Sequence, residues 1–126
     1  MSLGNIVLVD DEPSLLKLIA TYLTRLGYEV RTCTRTDEAW RVLEPDPEAF
    51  DALLLDMTMP GLSAVALGVR ALLANPRMAV IASSGYPTDL RSLEEAGPGR
   101  VRFLHKPYTP EMLADAIKAI RSGQTG

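Results

Sequence analysis

The chain is short of several features that would mark its class at once. It has a single cysteine, Cys33, in 126 residues, so no internal disulfide can form and a reducing compartment is expected. It has a single histidine, His105, which argues against a zinc site. Apolar runs reach only four or five residues, as in Ile6–Val9, Ala52–Leu55 and Met78–Ala82, against roughly 20 for a membrane-spanning helix. No membrane association is expected. A basic excess is also missing, since 13 Lys and Arg stand against 16 Asp and Glu for a net charge of −3. That balance argues against direct binding of nucleic acid. No signal-peptide pattern opens the chain, and the expected location is the cytoplasm.

What is present is an ordinary globular composition, 47% apolar and 23% charged, with nine glycines and nine prolines. The length suits one domain of roughly 100–200 residues. Residues 5–121 carry the patterning, which leaves 1–4 and 122–126 as flanking ends. Four short apolar segments read as buried strands: Ile6–Val9, Ala52–Leu55, Met78–Ala82 and Val101–Leu104. Val30–Cys33 is more polar and suits a sheet edge.

Helical spacing fills the intervals. Leu15, Leu16, Ile19, Ala20, Leu23 and Leu26 share a face that ends at Gly27. Thr36 is placed to cap a helix carrying Ala39, Val42 and Leu43, and Val65, Val69, Leu72 and Leu73 form a third stripe that stops before Pro76. A weaker stripe runs through Leu90 and Leu93 to Gly97, and Thr109-Pro110 opens the last helix, with Leu113, Ala116, Ile117 and Ile120 on its inner face. Strands alternating with helices in this way predict an α/β fold with a parallel sheet covered on both faces.

The unusual polar residues gather at one edge of that sheet. Asp10 and Asp11 follow the first strand, Asp56 the third, Ser84 the fourth and Lys106 the fifth, always at a carboxyl end. Ligand sites of open parallel sheets lie along that edge. Three crowded carboxylates repel one another unless a cation sits among them, and an all-oxygen set suits magnesium. Lys106 suits a phosphoryl oxygen, Ser84 adds a hydroxyl donor, and one aspartate remains to act as nucleophile. Taken singly, each has a plainer reading: Asp11 as a cap for the helix opening at Pro13, Asp56 as a turn residue before Pro60. Trp40 reads as a packing residue, Cys33 as a small strand-end hydrophobe, His105 as a surface residue, and Met57 and Met59 as core or loop filler.

Four motifs then give a specific resemblance: Val7-Leu8-Val9-Asp10-Asp11-Glu12, Leu53-Leu54-Leu55-Asp56-Met57-Thr58-Met59-Pro60-Gly61, Val80-Ile81-Ala82-Ser83-Ser84-Gly85-Tyr86 and Phe103-Leu104-His105-Lys106-Pro107. In order and separation they resemble the receiver domain of two-component response regulators, over about Asn5 to Arg121. The Ser-Gly-Tyr form of the third motif resembles receivers attached to hybrid sensor histidine kinases. The resemblance implies a flavodoxin-like doubly wound sheet of five strands, order 2-1-3-4-5, with five helices. It implies Asp56 as phosphoacceptor, with Asp10, Asp11, Asp56 and the backbone carbonyl of Thr58 holding magnesium, or manganese in its place. It implies Lys106 and Ser84 on the phosphoryl group, Ser84 and Phe103 as the switch pair, Thr58 and Tyr86 as residues that tune hydrolysis, and a cis bond before Pro107.

The implied partner is a histidine kinase or a histidine phosphotransfer domain, with a homodimer also compatible. The chain departs from the usual pattern at Ala64 and Gly85 and in the longer approach Gly97-Pro98-Gly99-Arg100. Two rival readings stay open at this point. One is a small phosphohydrolase using Asp56 as a transient nucleophile, and the other is an unphosphorylated docking module.

Overall fold

The computed structural model describes residues 2–59 and 63–123. Pro60 and Gly61 of the second motif, residue 1 and residues 124–126 lie outside them. Five strands, β1 (Asn5–Val9), β2 (Glu29–Cys33), β3 (Ala52–Asp56), β4 (Ala79–Ser84) and β5 (Val101–His105), alternate with α1 (Pro13–Leu26), α2 (Thr36–Leu43), α3 (Ala64–Ala74), α4 (Arg91–Ala96) and α5 (Pro110–Arg121). The strands form one sheet in the order β2-β1-β3-β4-β5, and all four pairings are parallel. The sequence places no element at Pro47–Ala49, where the structure has one 3-10 turn.

Alternation along the strands divides the core in two. Ile6, Leu8, Leu54, Ile81 and Leu104 face α1 and α5, where they meet Ile19, Leu23, Leu113 and Ile117. Val7, Val9, Leu53, Leu55, Val80 and Ala82 face α2, α3 and α4, where they meet Leu43, Leu67, Leu72 and Leu93. The central strands are therefore apolar at almost every position, as burial on both faces requires. The edge strand β2 keeps Glu29, Arg31 and Thr32 exposed.

Local signals explain most element ends. Gly27 closes α1 at φ 111°, a left-handed conformation that glycine enters without a Cβ penalty. Ser63 caps α3 by accepting from the Ala66 N–H, and Thr109 caps α5 by accepting from the Met112 N–H.

Four expectations need correction. Thr36 is the first helical residue of α2 rather than its cap, and it is buried; Arg35 occupies the cap position without a side-chain capping bond. Glu12, not Asp11, precedes α1, again without a side-chain cap. The buried face of α3 is Ala64, Leu67, Gly68, Ala71 and Leu72, while Leu73 is 70% exposed. Small residues carry that face because α3 and α4 approach closely: a Cβ on Gly68 would stand 2.5 Å from Leu93 Cδ2. Finally, β4 runs from Ala79 to Ser84 instead of from Met78 to Ala82, so Ser84 ends a strand, and so does Asp56. Pairing of Asp56 with Ser83 and of Ser84 with His105 carries the ladder that far.

At the amino-terminal edge of the sheet, Arg100 ties three elements together. Its Nη1 donates to the carbonyls of Asn75 (2.8 Å) and Met78 (3.1 Å), and its Nη2 to those of Leu72 (3.2 Å) and Ala96 (3.4 Å). One guanidinium thus serves the carboxyl ends of α3 and α4, where free carbonyls and the helix dipoles favour a cation. Gly97 is required beside it, since a Cβ there would meet Leu72 Cδ2 at 2.6 Å and Arg100 Cζ at 3.1 Å. Arg100→Met is expected to cost about 2 kcal/mol in urea unfolding, the scale for stranding part-buried carbonyls. A loss under about 0.5 kcal/mol would mean that water replaces the guanidinium freely.

Candidate functional site

The strand alternation that builds the two core halves also sorts the polar residues. Asp10, Asp56 and Lys106 each stand two residues beyond Leu8, Leu54 and Leu104, which face α1 and α5. Ser84 and Phe103 continue the opposite parity, that of Ala82 and Val101. The carboxylate cluster and the expected switch pair therefore belong to different faces of the sheet.

Asp10 and Asp56 are 0% and 1% exposed, whereas Asp11 is exposed. One carboxylate oxygen from each of the three lies within 4.8 Å of the others. Between the buried pair stands Lys106, its Nζ 2.8 Å from Asp10 Oδ2 and 3.2 Å from Asp56 Oδ2. Burial works against the ammonium, but the hydrogen bond to Asp10 and the charges of Asp10 and Asp56 outweigh it and hold the lysine pKa above its ordinary value. Three carboxylates against one ammonium still leave the group anionic, with an all-oxygen donor set open to solvent at Asp11. That combination fits a hard divalent cation such as magnesium or manganese.

Each carboxylate is fixed by neighbours in the chain. Asp10 Oδ1 accepts from the Glu12 N–H at 2.9 Å. Asp56 Oδ1 accepts from both the N–H and the hydroxyl of Thr58, at 3.0 and 2.7 Å. The Thr58 hydroxyl contact was not anticipated from sequence, although an aspartate commonly accepts hydrogen bonds from the residue two positions on. Ser84 is fully buried; its Oγ accepts from the Tyr86 N–H at 3.1 Å and its carbonyl accepts from the Lys106 N–H at 2.9 Å. The Tyr86 ring is 66% exposed, and a Cβ at Gly85 would meet nothing within 4 Å, so packing does not demand glycine there.

The half-buried Phe103 ring meets His105 edge to face, with centroids 6.2 Å apart. The Lys106–Pro107 peptide bond is cis. Cys33 is buried, and burial, aided by Glu38, pushes its thiol up to about 11, so it is not a thiolate at neutral pH. Trp40 packs against α3 through the Arg70 guanidinium, 5.7 Å from the ring centroid, and donates to Glu44.

Sequence reasoning missed Tyr108. Its ring packs against the α1–α5 half of the core, and its buried hydroxyl has no hydrogen-bond partner among the described residues. Burial, with Asp10, Asp56 and Glu12 nearby, raises its pKa well above the usual phenol range. The available signal was its position directly after the Lys106-Pro107 pair.

Five parallel strands with this order, five helices and an acidic cluster facing a lysine at the carboxyl edge define a doubly wound α/β domain with a charged site at its carboxyl edge. The chain belongs to the response regulator receiver domain family, whose pattern it matches over residues 6–118. It is 32% identical over 108 residues to a two-component response regulator of Arabidopsis thaliana, an alignment covering 86% of this chain and 28% of that protein. It is 32% identical over 114 residues to the transcriptional regulatory protein GlrR of Escherichia coli, covering 90% of this chain and 25% of that one. A receiver domain protein from Clostridium thermocellum superposes with a TM-score of 0.82 at 28% identity over 95% of both chains. The chain thus spans about a quarter of the length of these curated relatives. Receiver domains accept phosphoryl groups, bind magnesium at an acidic pocket and interact with histidine kinases or phosphotransfer proteins. No helix among the described residues is long and apolar enough to cross a membrane.

Lys106→Met removes the one ammonium between two buried carboxylates. It is expected to lower stability by about 3 kcal/mol without magnesium. Magnesium should then raise the melting temperature more in the variant than in the wild type, because the cation no longer competes with the lysine. Equal shifts in both would count against competition for the same carboxylates.

Proposed function

We propose that this chain is the phosphoacceptor of a two-component relay, receiving a phosphoryl group on Asp56 from a phosphohistidine of a histidine kinase or phosphotransfer domain. The observation that carries the reading is the Lys106 ammonium set between Asp10 and Asp56 beside an exposed third carboxylate. That arrangement binds a divalent cation and a phosphoryl group at once, which a docking module does not need. Asp10, Asp11, Asp56 and the Thr58 carbonyl would hold the magnesium, which would supply positive charge to offset that of the phosphoryl oxygens. An Asp56 oxygen forms the new P–O bond as the P–N bond of the donor breaks, and the electron pair of that bond leaves on the imidazole.

Thr58 fixes the rotation of the Asp56 carboxylate by binding Oδ1 twice. Lys106 turns from the carboxylates to a phosphoryl oxygen, which a charge-assisted hydrogen bond favours. Ser84 gives up the Tyr86 N–H and donates its hydroxyl to another phosphoryl oxygen. The loop from Gly85 follows inward, and Phe103, on the same sheet face as Ser84, takes the space it leaves. Because Phe103 has no hydroxyl, its two positions differ in packing and burial alone, worth on the order of 1.5–3 kcal/mol for a fully buried ring. A modest bias from phosphorylation then shifts the population substantially. The surface of α4, β5 and α5, roughly Leu90–Arg121, is the output face. Thr58 and Tyr86 flank the path by which water attacks the phosphoryl group and so set its lifetime.

Incubation with a small phosphodonor and magnesium is expected to add one base-labile phosphate, lost in Asp56→Asn. Labelling that persists in that variant would sink the assignment. Ser84→Ala is expected to retain phosphorylation but to weaken the change in hydrogen exchange over Leu90–Arg121. Exchange that is identical in phosphorylated and unphosphorylated wild type, at full occupancy, would remove the switch from this reading.

A further inference from the structure

The helix α3 carries more apolar surface than the fold consumes. Arg70 is its one charged residue, and every other position is apolar or glycine. A helix that is apolar all round is ordinarily buried all round, yet only Ala64, Leu67, Gly68, Ala71 and Leu72 are buried here. On the other side Val65, Ala66 and Val69 are half-buried and Leu73 is 70% exposed. The spacing of Val65, Val69 and Leu73 therefore describes an outer face. With Ser92 and Ala96 of α4 this face lines a groove of about 670 Å³. Neither the carboxylate cluster nor the Ser84 and Phe103 pair takes part in it.

Two charges of opposite sign also line the groove, on opposite flanks of α3. The helix lies between α2 and α4. Arg70 leans toward α2, its guanidinium 5.7 Å from the centroid of the Trp40 ring, and it makes no ion pair among the described residues. Glu95 is exposed on α4, and its carboxylate makes no hydrogen bond or ion pair among the described residues. The close approaches of the two helices fix their register. A Cβ on Gly68 would meet Leu93, and a Cβ on Gly97 would meet Leu72, so α3 and α4 run in the same direction at a constant offset that sets Glu95 level with Arg70. A two-fold axis laid along α3 exchanges the two flanks without changing level. It brings Arg70 of one copy opposite Glu95 of the other, twice, while Ala66, Val69 and Leu73 meet their own counterparts. A two-fold axis laid across α3 would set like charges against each other.

We propose that the outer face of α3, with Glu95 of α4, is the interface of a symmetric dimer of this chain in which the two α3 helices lie parallel. The patch is complementary to itself, as an isologous interface requires. Burial of Leu73 and the valines drives association, and the two crossed ion pairs select the parallel arrangement over the antiparallel one. Stacking on Trp40 holds the Arg70 guanidinium in place before pairing, which reduces the side-chain freedom lost on association.

Sedimentation velocity on the whole chain, over concentrations up to about 1 mM, reads the association directly. The wild type is expected to pass from monomer to dimer within that range. Leu73→Glu sets an unpaired carboxylate in the apolar centre from both copies and should raise the dissociation constant about a hundredfold. Its monomer should melt as the wild type does, because Leu73 is mostly exposed before association. Arg70→Glu and Glu95→Arg should each raise the dissociation constant about tenfold. Combining them reverses the sign of both pairs and should bring it back to within about threefold of the wild type. A wild type that stays monomeric throughout, leaving the face to another partner, overturns the proposal. So does a dimer indifferent to Leu73→Glu and to the charge variants, or a double variant that associates no more tightly than the single ones.

Discussion

Two carboxylates withdrawn from water at the ends of adjacent strands set the terms for everything around them. Asp10 and Asp56 are almost completely buried, and a like-charged pair in that position is costly unless a cation lies between. The Lys106 ammonium meets that need, and meeting it fixes where β5 must end and how its connection to α5 must turn. The same need explains why the remaining ligands are local. The Glu12 N–H and the N–H and hydroxyl of Thr58 are the donors that the chain can supply within two residues of each aspartate. The site is therefore a charge problem solved by two long-range contacts of one lysine and several short ones.

The sheet adds a second constraint, because successive residues of a strand face opposite sides. The acid and lysine cluster follows the parity of the α1–α5 half, and Ser84 with Phe103 follows that of the α3–α4 half. Ser84 spans the two, since its carbonyl accepts from the Lys106 N–H while its hydroxyl lies on the other side of the sheet. A change at the carboxylates thus has a covalently short route to the opposite face, one residue of β4.

The strands were legible in the sequence because burial on both faces makes them continuous apolar bursts, and the carboxyl-edge position of Asp10, Asp56 and Lys106 followed directly. The sequence was less informative where the partner was small or distant. The α3 face was misjudged because the close approach of α4 selects alanine and glycine over the larger Val65, Val69 and Leu73. Thr36 looked like a cap because its type suits one, but packing drew it inside the helix and left Arg35 at the boundary. Ser84 and Asp56 were placed beyond their strands because pattern reading stops where apolar residues stop, whereas the hydrogen-bonded ladder does not. Arg100 carried no readable signal, since its acceptors are backbone carbonyls up to 28 residues away.

The two edges of the sheet are held by chemically different means. At the carboxyl edge the holding groups are carboxylates and an ammonium, which bind one another by opposite charge. At the amino edge the Arg100 guanidinium donates, among the described residues, to peptide carbonyls alone, which carry no net charge. Burial lowers the guanidinium pKa from a very high starting value, and no acid or base near neutrality reaches it. A cation that enters among the carboxylates therefore competes with one fastening and leaves the other untouched, so the two edges of the domain answer to different solutes.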